Sequence, residues 1–185
     1  METTKHKLPE NTNRFFINLS NYLDTQILFF GSVQRQDYFP GHSDIDIVIF
    51  TDNEKSLLTK LQHFLKVDRA KIKKTVMRLY HNNHVVHGYK LMYKNPELVA
   101  PIEMSIYNEK SRESVMYSHM KKSDLPFYTL WLLVILKIMY YNLHFIDHST
   151  FRYLKKNCLL MGVSLPDDDY IVIGPESAPR TELHT

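Results

Sequence analysis

Cysteine is almost absent from this sequence, and so is the apolar leader of a secreted protein. Cys158 is the only cysteine among 185 residues, which excludes an intrachain disulfide and a zinc site built from cysteines. Met1 to Pro9 are polar and charged, without the apolar core of a signal peptide. Both features predict a reducing, intracellular setting, cytoplasmic by default.

Long hydrophobic runs are missing as well. A membrane-spanning helix needs about 20 apolar residues, whereas the apolar run Leu130 to Leu136 is followed directly by Lys137. We therefore interpret Leu125 to Phe145 as the buried central helix of a packed domain and expect no stable membrane insertion. Membrane association of this segment is the alternative. Tyr140 and Tyr141 are assigned to the core, with stacking on a base as the other interpretation.

The charge surplus is small. The formal net charge of +3 permits an anionic partner without requiring one, because phosphate binding depends on clustered charge. Hydrophobic residues make up 44% of the chain and aromatics 12%, which excludes disorder of the whole chain. The length suits one domain. We place that domain at residues 1–163 and an acidic, proline-containing tail at 164–185.

Hydrophobic periodicity and turn residues predict a helix, two strands, a helix, three strands and then helices. The predicted helices are Leu8–Leu23, Asn53–Leu65 and a helical region from about Glu109 to Val163, and the predicted strands are Gln26–Phe30, Asp44–Thr51, Thr75–Tyr80, Val85–Tyr93 and Leu98–Tyr107. The turn Lys94-Asn95-Pro96 suggests that the last two strands form a hairpin. This order is typical of an α+β fold with a mixed β-sheet flanked by helices and a helical C-terminal part. The tail is predicted to be a strap or a loose end.

Two aspartates share one face of a predicted strand. Asp44 and Asp46 alternate with apolar Ile45 and Ile47, so the carboxylates project from one face and the isoleucines from the other. Two carboxylates this close raise each other's pKa unless a cation lies between them. Mg²⁺ prefers oxygen ligands and often shares its shell with substrate phosphates. An isolated Asp-x-Asp is more often an ordinary exposed strand face, so the interpretation depends on its surroundings.

A glycine-serine pair precedes the aspartates and completes the pattern. Gly31 and Ser32 end a predicted strand, where glycine allows close backbone approach and the serine hydroxyl can contact a phosphate. Arg35 follows one turn later and is placed for a phosphate oxygen. The pair is separated from Asp44 by a polar loop that ends at Ser43. Together these residues predict a phosphate-binding turn beside a pair of metal-binding carboxylates.

These residues resemble the signature of the DNA polymerase β-like nucleotidyltransferase superfamily. That signature is a hydrophobic residue, Gly-Ser or Gly-Gly, a loop, and then Asp-hydrophobic-Asp-hydrophobic. Gly31, Ser32, Asp44 and Asp46 match it, and Arg35 matches an arginine that some members carry. The resemblance implies a palm over about residues 8–107, helices over about 109–163, and nucleotide contacts that include Ser43.

The resemblance also implies a mechanism and a third acid. It implies two divalent ions, Mg²⁺ or Mn²⁺, that activate a hydroxyl and clamp the triphosphate while pyrophosphate leaves. The family places a third acid on a strand beside the pair, and Glu103 is the only acid of Pro101 to Tyr107. We therefore predict that Asp44, Asp46 and Glu103 bind the metal ions and carry the catalysis.

The acceptor is the open part of the functional prediction. A nucleoside monophosphate, from ATP by default, would move to a nucleic-acid end, a small molecule or a protein side chain. A basic stretch favours RNA or DNA narrowly, and its predicted contacts are Lys71, Lys73, Lys74 and Arg78. A solvated strand edge is the other explanation of these lysines. The rival function is a non-catalytic, antitoxin-type nucleotidyltransferase-like module, and the sequence leaves the oligomeric state open.

Overall fold

Helices and strands alternate along the chain much as the sequence predicts. The computed structural model describes residues 2–79, 81–163 and 169–173. Its α-helices are α1 (Glu10–Leu23), α2 (Glu54–Leu65), α3 (Arg112–Ser123), α4 (Phe127–Lys137) and α5 (His148–Val163). Its strands are β1 (Ile27–Phe30), β2 (Ile45–Thr51), β3 (Lys73–Arg78), β4 (Val85–Tyr93), β5 (Ile102–Asn108) and β6 (Asp169–Ile173). The predicted α+β fold is confirmed.

The strands form one mixed sheet in the order β1-β2-β5-β4-β3-β6. β2 and β5 run parallel, and the remaining neighbours are antiparallel. The predicted hairpin between β4 and β5 is confirmed, with Gly88 opposite Tyr107 and Tyr93 opposite Ile102. The β2–β5 pair lies near the middle of the sheet, and the acidic residues of interest lie on these two strands.

Strand alternation gives the sheet two different faces. On one face, Ile45 and Ile47 of β2 pack with Met104 of β5 beneath Leu19 of α1 and Leu58 of α2, and all five are buried. This main core fixes the register of β2, because a shift by one residue would turn its isoleucines toward the other face. The odd-numbered positions of β2 are thereby buried in the core, and the even-numbered position of Asp46 is left for the opposite face.

The opposite face carries a smaller apolar cluster and the acidic residues. Val48 and Phe50 of β2 pack there with Tyr107 of β5, and α3 covers them with the fully buried Val115. On β2 this cluster ends at Val48, so the next position on this face, Asp46, is not part of the apolar packing. Helix α3 therefore covers one end of the face, and a cleft remains at the other end.

Helix α4 is not the buried core helix that its composition predicts. Leu133 is fully buried, but Trp131 is 61% exposed and Phe127 is 73% exposed. The prediction was wrong because α4 packs mainly against α5 and against the loop that Lys137 contacts, so it needs only one apolar face for packing. Among the described residues, no single helix is long and apolar enough to cross a membrane. One pair of helices, Glu109–Ser123 and Phe127–Asn142, reaches the required length and hydropathy when the two are taken together, but the pair is bent by 76°.

The tail contributes a strand that the sequence analysis missed. β6 (Asp169–Ile173) pairs antiparallel with β3 and extends the sheet, with Val172 opposite Thr75. The apolar run 171–173 was overlooked because it is short and follows a run of aspartates. The remaining tail residues, 164–168 and 174–185, lie outside the described residues. The prediction of a strap or loose end is therefore corrected for β6 alone.

Candidate active site

Asp44 and Asp46 lie at the N-terminal end of β2, on the face opposite the main core. The backbone N–H of Ile45, between them, donates to the carbonyl of Pro101 at 2.9 Å, which fixes the start of the parallel pair β2–β5. Asp44 is exposed and Asp46 is half-buried. The alternation predicted from the sequence therefore places both carboxyl groups at the cleft.

Glu103 is the direct partner of Asp46 across the parallel pair β2–β5. Neighbouring strands are about 4.8 Å apart, and partners in register project from the same face. The Glu103 carboxylate also forms an ion pair with Lys90 of β4, the next strand of the sheet. The three predicted acids thus lie on one face, and a basic residue holds the third of them.

Burial and mutual repulsion raise the pKa of both aspartates. The surrounding protein displaces water from Asp46, and the charges of Glu103 and Asp44 add to this, which together raise its pKa to about 7. The pKa of Asp44 is also raised, because loss of water at its carboxyl group and the charge of Glu103 outweigh the nearby cations. Lys155 of α5 acts in the opposite direction on both groups. The cluster thus favours the binding of a cation.

Gly31 occupies a position where any side chain would meet the Asp46 carboxyl group. Its φ is +66°, in the left-handed region, and a Cβ there would lie 1.9 Å from the Asp46 carboxylate oxygen Oδ2. Ser32 follows in the short 3-10 helix Gly31–Gln34 and is buried. The glycine-serine turn therefore lies directly against the carboxylate pair, as the motif predicts, and both residues border the cleft.

Arg35 borders the cleft, and its side chain is also bound within the protein. Its guanidinium donates to both carboxylate oxygens of Asp37 at 2.8 and 3.2 Å and to the carbonyl of Lys122 at 3.2 Å. Arg35 and Asp37 are both buried. The side chain thus holds the loop and attaches it to α3, and the phosphate contact of Arg35 stays a prediction.

Lys137 of α4 anchors the same loop from the other side. Its ammonium group lies 3.0 Å from Asp37 Oδ2 and donates to the Ser43 hydroxyl at 3.1 Å. Burial would raise the pKa of Asp37, but its ion pairs with Arg35 and Lys137 outweigh this and lower it. Ser43, predicted to contact nucleotide, borders the cleft and links Asp44 to this buried charge cluster.

The cleft is a cavity of about 680 Å³ that the three carboxylates, the Gly31–Ser32 turn and Arg35 all border. Gly31, Ser32, Ser43, Asp44, Asp46 and Glu103 line it on the sheet side, and Lys122, Tyr140, Tyr141, Arg152 and Lys155 line it on the helical side. Five basic and aromatic side chains thus face three carboxylates across one cavity. This arrangement suits a ligand that carries both phosphates and a planar ring.

Comparison with known protein families agrees with this geometry. The family profile of the nucleotidyltransferase domain matches residues 13–125, more than half of the chain. The chain belongs to the nucleotidyltransferase domain family. No curated protein sequence matches it significantly.

The carboxylates of this nucleotidyltransferase domain suit a divalent ion by their chemistry. Oxygen ligands with a raised pKa, held on one face, are what Mg²⁺ or Mn²⁺ would stabilise. Within the described part of the chain, however, no three His, Cys, Asp or Glu side chains lie close enough together to hold one ion. Asp44 and Asp46 would therefore provide the first ligands, and Glu103 would join after its contact with Lys90 is loosened.

The basic stretch predicted to contact nucleic acid does not form one surface of the nucleotidyltransferase domain. Lys73 is the partner of Lys90 and lies on the face of the active site, whereas Lys74 and Arg78 lie on the opposite face of β3. Lys71 lies in a short 3-10 turn before the strand. β3 is also separated from β5 by β4. The four residues therefore lie on different parts of the sheet, and their contact with nucleic acid stays a prediction.

The basic and aromatic residues of the helical side were not predicted as site residues. Arg152 and Lys155 are three residues apart on α5, a spacing that places them on one helical face and that was visible in the sequence. Tyr140 and Tyr141, assigned to the core, border the cavity from the π-helix Ile138–Asn142, and Tyr141 stacks on His42. A π-helix cannot be recognised from the pattern of apolar residues, and such segments often mark functional sites.

Proposed function

We propose that this nucleotidyltransferase moves a nucleoside monophosphate from a nucleoside triphosphate, ATP by default, to an acceptor hydroxyl, with Mg²⁺ or Mn²⁺. The observation that carries the proposal is the position of Asp44, Asp46 and Glu103 on one face against the Gly31 turn. A non-catalytic binding module would have no use for three carboxylates on one face, where burial and the charge of Glu103 raise the pKa of both aspartates. An active enzyme is therefore the better explanation.

Each group of residues has a proposed task. Asp44 and Asp46 would hold the divalent cations, of which the complete site would contain two. The cations would neutralise the charge of the triphosphate and lower the pKa of the attacking hydroxyl. Gly31 and Ser32 would contact the phosphates, and Glu103 would accept the proton of the acceptor hydroxyl. Positioning and charge neutralisation account for most of the rate in such reactions.

The basic residues of the helical side fit the donor nucleotide. Lys122, Arg152 and Lys155 border the cavity opposite the carboxylates, and Lys155 is near enough to lower the pKa of both aspartates. They would contact phosphate oxygens that are not bound to the cation. Tyr140 and Tyr141 offer aromatic faces beside them for the base.

Product analysis tests the proposal directly. The full chain is incubated with each labelled triphosphate, with Mg²⁺, Mn²⁺ or a chelator, and with pooled RNA, DNA and small acceptors. We expect a labelled adduct and pyrophosphate that depend on the metal and are absent in Asp46→Asn. If neither forms above the level of Asp46→Asn under any condition, the domain is not a nucleotidyl-transferring enzyme.

A further inference from the structure

A second cavity adjoins the active-site cleft. It measures about 740 Å³ and shares Lys122, Arg152, Lys155 and Leu159 with the cleft. Two further basic residues, Lys90 and Lys156, line only this second cavity. Because the two cavities share part of their walls, a ligand in the second one would lie beside the carboxylates.

The strand order shows which side of the cleft the second cavity adjoins. The Gly31 turn follows β1, Asp46 is on β2, Glu103 is on β5 and Lys90 is on β4, in that order across the sheet. With strands about 4.8 Å apart, the strand of Lys90 is about 10 Å from that of Asp46, on the side away from the Gly31 turn. The second cavity therefore begins beside Glu103, and the triphosphate turn lies at the other end.

The lining has a marked chemical character. Five basic side chains border the cavity, namely Lys90, Lys122, Arg152, Lys155 and Lys156, and no acidic side chain borders it in the part of the chain that the structure describes. Apolar Leu159 and Leu160 and the exposed Tyr153 complete the wall. Such a lining would repel a cationic acceptor and would bind phosphate groups carried on a partly apolar molecule.

We propose that this second cavity is the acceptor site and that it takes a phosphate-bearing acceptor, whose hydroxyl it presents to Glu103. The proposal rests on the proposed function, because it assigns Glu103 to the attacking hydroxyl. Phosphates near a hydroxyl occur at the 3′ end of a nucleic-acid strand and in phosphorylated small molecules. Both share the chemistry that the cavity recognises.

Lys156→Glu is the variant that tests the assignment. Lys156 is exposed on α5 and borders the second cavity but not the cleft, so its change should spare the donor nucleotide. Lys55→Glu is the matched control, because Lys55 is exposed on α2, on the other face of the sheet. The probes are a short single-stranded RNA with a free 3′ hydroxyl, AMP, adenosine and a cationic aminoglycoside, each assayed with MgATP.

We expect Lys156→Glu to raise the KM for the phosphate-bearing acceptor about tenfold, the effect of one lost charge-assisted hydrogen bond. The affinity for MgATP should stay at the wild-type value, and Lys55→Glu should change neither quantity. Preference for RNA over AMP would identify the acceptor as the end of a nucleic-acid strand. Preference for AMP over RNA would identify it as a phosphorylated small molecule. An unchanged KM, an equal loss of MgATP affinity, or efficient use of adenosine or the aminoglycoside would overturn the assignment.

Binding measurements test the acceptor cavity independently of the proposed transferase activity. If the wild type makes no adduct with any acceptor, the proposed function fails, and the cavity is judged by equilibrium binding of the labelled RNA and of AMP. Weaker binding to Lys156→Glu than to Lys55→Glu would support an anion site there. Equal binding to both variants would overturn it.

Discussion

Asp46 and Glu103 lie directly opposite each other on the parallel strands β2 and β5, on the face that the main core leaves free. They are 57 positions apart in the sequence, and the helix α2 and the hairpin strands β3 and β4 intervene. Burial and the nearby charge of Glu103 raise the pKa of Asp46, and the domain thereby has a carboxylate cluster that a cation would stabilise. The predictions below follow from this cluster and from the residues that position it.

Asp46→Asn should abolish transfer and stabilise the metal-free protein at high pH. The pKa of Asp46 is about 7 in the folded chain, above its usual 3.8. The folded state thus holds this proton more tightly, and the free energy of unfolding falls as the pH rises from about 4 to 7. Asparagine removes this loss. In the presence of a chelator, the melting temperature of Asp46→Asn should therefore exceed that of the wild type at pH 8 but not at pH 3, by about 2–4 °C for each kcal/mol of unfolding free energy gained.

The control for this prediction is Asp52→Asn, because Asp52 is an exposed acid just after β2. It should leave both the pH dependence and the activity at wild-type values. Equal melting temperatures of Asp46→Asn and the wild type at pH 8 would show that the folded protein does not raise the pKa of Asp46. Turnover by Asp46→Asn within about tenfold of the wild type would remove Asp46 from the metal site, where losses of about 1000-fold are expected.

Gly31→Ala should lower the affinity for MgATP far more than Gly41→Ala does. Both glycines have positive φ, +66° and +80°, so both variants bear the backbone strain of about 1–2 kcal/mol. A Cβ at Gly41 meets nothing within 4 Å, whereas at Gly31 it meets the Asp46 carboxylate. Isothermal titration measures the difference, and equal affinities in the two variants would separate Gly31 from the nucleotide site.

Glu103→Gln should reduce kcat about 100-fold or more while it leaves MgATP affinity unchanged, which is the effect of losing a general base. Its position opposite Asp46 places it for the acceptor proton rather than for the phosphates. Glu97→Gln, on the exposed connection between β4 and β5, is the matched control and should behave as the wild type. A loss confined to MgATP affinity would instead make Glu103 a donor-site ligand.

Lys137→Met should destabilise the protein by about 3 kcal/mol, because it leaves the buried Asp37 with Arg35 alone. The exposed ion pair of Arg14 and Glu10 is the comparison for this buried pair. Glu10→Gln should lower the free energy of unfolding by less than about 1 kcal/mol. Urea denaturation measures both. Adding Asp37→Asn to Lys137→Met should recover part of the loss, and a double variant less stable than the single one would refute a charge-based cause.

Local patterns were sufficient for much of the fold. The alternation of Ile45, Asp46 and Ile47 predicted β2 and its two faces, and the confirmed hairpin β4–β5 followed from apolar runs around a proline turn. The same reasoning failed for α4, since a helix packed on one side and a helix packed on all sides differ only in their neighbours. β6 was missed because a short apolar run becomes a strand only when an edge such as β3 accepts it.

The sequence by itself determined the chemistry at the start of β2, because glycine at the turn and aspartates at alternate strand positions depend on local geometry alone. Only the tertiary structure decided what faces them. Strand order placed Glu103 beside Asp46, α5 brought Lys155 near both aspartates, and Lys137 fixed the loop before Asp44. These contacts join residues far apart in the chain, and their energies depend on burial and distance, which no local pattern of residues contains.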